Sequence, residues 1–190
     1  MFNQVSADGF FAAADGGLDW VVQDPEVQRD GIAGMPRTGT VLFGRKTYEM
    51  FAATWPKVLE AGKGDDPHGG RGGPEMLAFA EFLTEVPKIV FSKTLDKPSW
   101  KNTRVLRELE PHAIAAMKQD SGKDMLVMGS ASIVEQLTEH GLIDQYSFMV
   151  SPILLGQGRT LFREGKRTKL TLMSSKAFPS GCLILRYARA

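Results

Sequence analysis

Short apolar runs alternate with longer amphipathic ones along most of this chain, and that alternation narrows the fold more than any other feature. "TVLF" is followed at once by "RKTYEMFAATW", in which Tyr48, Phe51 and Trp55 recur at the spacing of one helix face. "KIVFS" and "RVL" precede "PHAIAAMKQD", and "DMLVMG" runs straight into "SASIVEQLTEH", which Gly141 ends. Apolar runs this short, bounded by turn signals, suit strands buried on both faces. Strands that alternate with helices predict an α/β domain with a mostly parallel sheet. "MFNQV" with Ser6 reads as the first strand, and "QYSFMVSPILLG" as a long late one with Pro152 near its end. The chain closes on "KLTLMSSKAF" and "CLILRYAR", joined by Pro179-Ser180-Gly181. That turn predicts a terminal antiparallel pair.

Other segments complete the outline. "DPEVQRD" opens a helix with Pro25 in its first turn, weakened soon after by Gly31 and Gly34. "PEMLAFAEFLTEV" restarts a helix at Pro74. Residues 56–73 are rich in glycine and charge and read as a flexible surface loop. With 190 residues and no repeat or linker, residues 1–190 are expected to form a single domain. A net charge of +1 provides no global basic field for nucleic acid or an anionic membrane. No apolar run approaches the roughly 20 residues of a membrane span, and no signal-peptide pattern is seen. The lone Cys182 rules out an internal disulfide and reads as a buried thiol within "CLILRY". These features suit the cytoplasm. His68, His112 and His140 are scattered without ligand spacing, so no metal site is expected.

Ligands of open α/β sheets bind beyond the carboxyl ends of strands, and three such ends carry chemistry. Gly44 ends one strand, with Arg45, Lys46 and Thr47 in the first turn of the next helix. Cations there oppose the helix dipole, which makes sense if an anion sits between them. Ser92 and Lys93 end a second strand with a hydroxyl and a cation. Gly129, Ser130, Ala131, Ser132 and Ile133 open a helix with no bulk at its mouth, so its N–H groups can face a phosphate. Ser130 is equally readable as an ordinary N-cap. A dinucleotide needs two anionic regions. Gly129–Ser132 suits a pyrophosphate; Arg45, Ser92 and Lys93 suit a 2′-phosphate. "GQGRTL" starts like a dinucleotide fingerprint but lacks its third glycine and opens no helix.

The segments "VSADGFFA", "VLFGRKTYEMF", "PKIVFSKTL", "MLVMGSASIVEQL", "GLIDQY" and "SPILLGQGRTLF" occur in an order that resembles the dihydrofolate reductase-like superfamily. They are most similar to the reductase domain of the bifunctional riboflavin-biosynthesis deaminase/reductase. The resemblance covers nearly the whole chain. It implies a three-layer α/β fold, with an eight-stranded, mostly parallel mixed sheet flanked by helices and a C-terminal antiparallel hairpin. It also implies NADPH as cofactor and a small-molecule substrate. By position, Gly44–Thr47 look like the family's first phosphate segment and Ser92 and Lys93 like its 2′-phosphate segment. Gly129–Ile133 look like its pyrophosphate loop, and residues 8–20 like the mobile loop that closes over the nicotinamide. The deaminase half, with its zinc ligands, has no counterpart here.

The expected activity is hydride transfer from NADPH to a pterin- or pyrimidine-like heterocycle or a carbonyl compound. The alternative is a non-catalytic nucleotide-binding protein of the same fold. In the resembling family an acid follows the Trp that ends the mobile loop. Here Trp20 is followed by Asp24 and Glu26, the proton-donor candidates, with Asp8 behind them. Both lie at a helix opening, where the dipole favours the charged form and works against proton donation. The apolar runs 146–155 and "CLILRY" fit either helices on both faces of the sheet or a homodimer interface.

Overall fold

The computed structural model describes residues 1–62, 73–120, 122–162 and 167–190. Along the chain come β1 (Phe2–Ser6), β2 (Phe10–Ala12), α1 (Pro25–Ala33), a 3-10 turn (Met35–Arg37), β3 (Thr38–Gly44) and α2 (Arg45–Ala61). There follow α3 (Pro74–Glu85), β4 (Lys88–Phe91), β5 (Thr103–Leu106), α4 (Pro111–Asp120), β6 (Asp124–Val127) and α5 (Ala131–Glu139). The last strands are β7 (Gln145–Ser151), β8 (Arg159–Thr160), β9 (Leu170–Ala177) and β10 (Leu183–Arg189). Contacts divide the chain into two compact units. A terminal unit holds Met1–Val27 and Val127–Ala190, and a middle unit holds Gln28–Leu126.

The middle unit carries a four-stranded sheet in the order β5-β4-β3-β6. β3, β4 and β5 run parallel, with Gly44 in register with Phe91 and Phe91 with Leu106. Every residue of β4 is buried, as a central parallel strand covered on both faces requires. Val41, Leu42, Phe43, Val90, Ala80 and Leu83 form its core at 0–1% exposure. Lys88 is equally buried. Its ammonium donates to the carbonyls of Leu83, Val86 and Thr84, at 2.7, 2.8 and 3.2 Å, and so caps the end of α3. The ring of Trp100 lies 4.6 Å away.

The loop expected from residue 56 begins later, because α2 continues through Pro56 to Ala61. An interior proline removes a helix hydrogen bond and usually stops the helix. Here packing outweighs that penalty. Phe43, Phe51, Trp55 and Phe79 form a chain of ring contacts at 5.2, 6.1 and 4.6 Å, fastening this part of α2 to α3. Residues 63–72 of that expected loop lie outside the described residues.

The terminal unit carries the sheet β1-β7-β10-β9. β1 and β7 are parallel, with Ser6 opposite Ser151, while β10 is antiparallel to both β7 and β9. The terminal hairpin therefore forms as expected. β7 stops at Ser151, one residue before Pro152, which has no N–H to give to a ladder. Under this sheet Val27, Met149, Phe178, Cys182 and Ile184 form a buried cluster with Phe2 and Val22. Cys182 is the free, buried thiol its apolar setting implied. No helix among the described residues is long and apolar enough to cross a membrane.

Candidate functional site

In the middle unit, parallel pairing brings two of the expected segments to one edge. Gly44 and Phe91 are the last residues of β3 and β4 and stand in register. Arg45-Lys46-Thr47 and Ser92-Lys93 therefore leave the sheet side by side. Gly44 is the N-cap of α2, extended at φ −85° and ψ 161°, and offers no side-chain cap. Arg45 and Lys46 are exposed in the first turn. The Arg45 guanidinium meets Glu49 at 3.0 Å, and Lys93 meets Glu108 at 3.4 Å. All four side chains are more than 40% exposed, so each pair contributes only about 0–1 kcal/mol and yields readily to a doubly charged phosphate. The Ser92 hydroxyl is buried and accepts from the N–H groups of Thr94 and Leu95, at 3.2 and 2.9 Å. Its own proton is left to donate.

The third segment belongs to the terminal unit. Gly129 and Ser130 both have positive φ, at 62° and 61°. A left-handed serine is strained by about 1 kcal/mol or more, and such strain collects at functional loops. Ser130 occupies the N-cap position of α5, yet its side chain makes no cap hydrogen bond. Its carbonyl accepts from Ile133 and Val134 at 2.9 and 3.1 Å. The hydroxyl cap, one of the two readings of Ser130, is not formed. Ala131, Ser132 and Ile133 make up the first turn of a helix that no side chain of the N-cap residue closes.

The acids of the terminal unit are largely engaged. Asp24 is buried. One of its carboxylate oxygens accepts from the N–H groups of Glu26 and Val27, at 2.8 and 3.4 Å, capping α1. The other accepts from the Ser180 hydroxyl in the β9–β10 turn. Glu26 is exposed. Asp8 accepts from the Ser6 hydroxyl at 2.6 Å and from the N–H groups of Gly156 and Leu155 at 2.7 and 3.1 Å. The Ser6 bond, aided by those backbone donors, holds its carboxyl below the usual range. Asp8 is thus an ionised anchor tying the end of β1 to the turn after β7.

Residues 8–20 are not a bare loop. Phe10–Ala12 pair with Arg159–Thr160, Ala13 N–H donates to the Gly17 carbonyl, and Trp20 is buried with its indole N–H on that same carbonyl. Sequence reasoning missed Arg107. Its guanidinium donates to the carbonyls of Leu95 and Lys93 at 3.0 and 3.2 Å, to Ser92 at a longer 3.4 Å, and to Asp96 at 2.9 Å. The only signal was an arginine just past the weak strand "RVL", which does not show where the guanidinium points.

The mixed α/β architecture is that of the dihydrofolate reductase-like fold class. The family model described as RibD C-terminal domain matches residues 1–184, and the chain belongs to that family. Uncharacterized protein YyaP of Bacillus subtilis (strain 168) is 27% identical over 188 residues, covering 96% of this chain and 90% of that protein. A candidate riboflavin biosynthesis protein from Shewanella sp. PV-4 superposes with a TM-score of 0.71 at 22% identity, covering 100% of this chain and 97% of the other. Dihydrofolate reductase from Enterococcus faecalis, solved in complex with NADP(H), gives 0.62 at 14% identity, covering 99% and 94%.

Proposed function

We propose that this chain is an NADPH-dependent reductase acting on a small pterin- or pyrimidine-like heterocycle or carbonyl compound. The observation that carries the reading is the β3–β4 register. It sets Arg45, Lys46 and Thr47 beside Ser92 and Lys93, a donor set suited to a 2′-phosphate. Membership of the RibD C-terminal domain family supports a reductase-like role, and the NADP(H) bound by the Enterococcus enzyme supports the choice of nicotinamide cofactor. NADPH, when bound, supplies the hydride. The rest falls to the protein's own groups. Arg45, Lys46, Ser92 and Lys93 are assigned to the 2′-phosphate, and Gly129–Ile133 to the pyrophosphate, where helix N–H groups favour an anion. Asp24, buried and capping α1, and Glu26, exposed in the first turn of that helix, are kept as the proton-donor candidates. A homodimer is proposed through the apolar runs 146–155 and "CLILRY", where Leu154 and Leu183 are 74% and 38% exposed; sedimentation equilibrium reads that directly.

The test is calorimetric titration of NADPH and NADH into the wild type and Arg45→Ala. NADPH is expected to bind the wild type more tightly. Arg45→Ala should weaken NADPH roughly tenfold, the low end for a lost charge-assisted bond because Arg45 is exposed, and leave NADH nearly unchanged. Equal losses for both cofactors would remove the 2′-phosphate assignment. Binding without NADPH oxidation across a panel of pterins, pyrimidines and quinones would favour a non-catalytic nucleotide-binding protein instead.

A further inference from the structure

The loop after β4 has a construction that its two expected ligands do not explain. Ser92 turns its hydroxyl back on the N–H groups of Thr94 and Leu95, so the chain folds tightly over residues 92–95. That fold turns the carbonyls of Ser92, Lys93 and Leu95 toward one point, and Arg107, one residue past β5, fills it. A guanidinium has five N–H donors in a fixed plane and keeps its charge at any physiological pH. Few other side chains can satisfy several carbonyls and a carboxylate at once. The Asp96 partner is 82% exposed and Arg107 itself 55%, so that ion pair contributes little. The carbonyl contacts are the part that shapes the loop. The neighbouring Lys93 and Glu108 are held only by an exposed pair. The Lys93 ammonium is therefore aimed by its backbone, and its backbone is fixed by Arg107.

We propose that Arg107 is a positioning residue for 2′-phosphate recognition. It holds the 92–96 loop so that the Ser92 hydroxyl and the Lys93 ammonium face the anion, without touching the anion itself. This rests on the NADPH reading above and names a residue on which that reading depends.

The probes are 2′,5′-ADP and 5′-ADP, which differ in the 2′-phosphate, titrated calorimetrically into the wild type, Arg107→Gln and Arg107→Lys. The wild type should prefer 2′,5′-ADP. Arg107→Gln should lose about tenfold in 2′,5′-ADP affinity, the scale of one charge-assisted hydrogen bond, with 5′-ADP affinity unchanged. Arg107→Lys keeps the charge but lacks the planar fork, so it should remain at least fivefold weakened, on the order expected for a site where Arg and Lys are not equivalent. It also carries the test should Arg107→Gln fail to fold. Amide exchange at Thr94 and Leu95 should quicken in both variants, a local change that a general effect on the electrostatic field would not produce. A fully restored preference in Arg107→Lys, or wild-type preference in Arg107→Gln, overturns the proposal. A wild type that does not distinguish the two probes overturns the NADPH reading and this proposal with it.

Discussion

Replacing Asp24 separates a helix cap from a proton donor, because the two roles answer differently to alanine and asparagine. In Asp24→Ala the N–H groups of Glu26 and Val27 lose their acceptor, and Ser180 loses the carboxylate it donates to. A lost N-cap costs about 0.5–2 kcal/mol. A lost hydrogen bond to a charged group costs about 1.5–3 kcal/mol. Sharing one buried side chain, the two losses combine to about 2–4 kcal/mol. For a chain of 150–250 residues each kcal/mol moves Tm by about 2–4 °C, so Asp24→Ala should melt roughly 5–15 °C lower. Asn caps a helix as well as Asp does, and only the charge assistance to Ser180 is weakened. Asp24→Asn should therefore lose about 1 kcal/mol. Calorimetry on the wild type and both variants reads the stabilities, and NADPH turnover, once a substrate is found, reads the chemistry. A cap predicts a large fall for Ala, a small one for Asn, and near-normal kcat in Asp24→Asn. A proton donor predicts collapsed kcat in Asp24→Asn with its stability kept. If Asp24→Ala melts within about 2 °C of the wild type, the capping argument fails.

Two further predictions concern packing and pH. A Cβ on Gly158 would lie 2.5 Å from the Ala12 carbonyl oxygen and 3.0 Å from the Phe10 side chain. Gly158→Ala should therefore push β8 away from β2 and cost about 1–3 kcal/mol, read by urea denaturation; an unchanged midpoint would show that the ribbon gives way freely. Burial pushes Lys88 down to about 8 from the ordinary 10.5. Between those values the unfolded chain holds a proton that the folded one has released, so stability contributed by this site rises with pH across that window. The stability difference between wild type and Lys88→Met, followed by denaturation from about pH 8 to about pH 10.5, should shift in favour of the wild type as pH rises. A flat or opposite trend would mean that the three carbonyl acceptors keep the ammonium charged.

What the sequence disclosed depended on whether a residue acts through its neighbours in sequence or through distant ones. Strand–helix alternation, the Pro179-Ser180-Gly181 turn and the helix openings at Pro25 and Pro74 are local signals, and the corresponding elements form as read. The first failure was Pro56, read as the start of a loop. The ring contacts that carry α2 past it involve Phe79, 23 positions further on, and local propensity has no term for them. The site shows the same divide. Arg45, Lys46, Ser92 and Lys93 stood out because strand ends beside cations form a local pattern. The 92–96 loop itself depends on Arg107, which no local pattern connects to Ser92.

"GQGRTL" shows how a phosphate-like motif can be built for another purpose. Its first glycine, Gly156, has φ 71° and presents its N–H to Asp8. Its second, Gly158, lets β8 pass against β2 closer than any side chain allows. Both glycines are accounted for by the turn that Asp8 anchors, and among the described residues the segment opens no helix whose N–H groups could face a phosphate. At Gly129-Ser130 the accounting comes out the other way. Gly129 suits its left-handed turn, but a serine is strained in the same region, its hydroxyl does not cap the helix it precedes, and an amphipathic helix follows at once. A loop selected for turning alone would favour glycine or asparagine at position 130. The strain that remains there is the physical reason for proposing that the segment serves an anion as well as the bend.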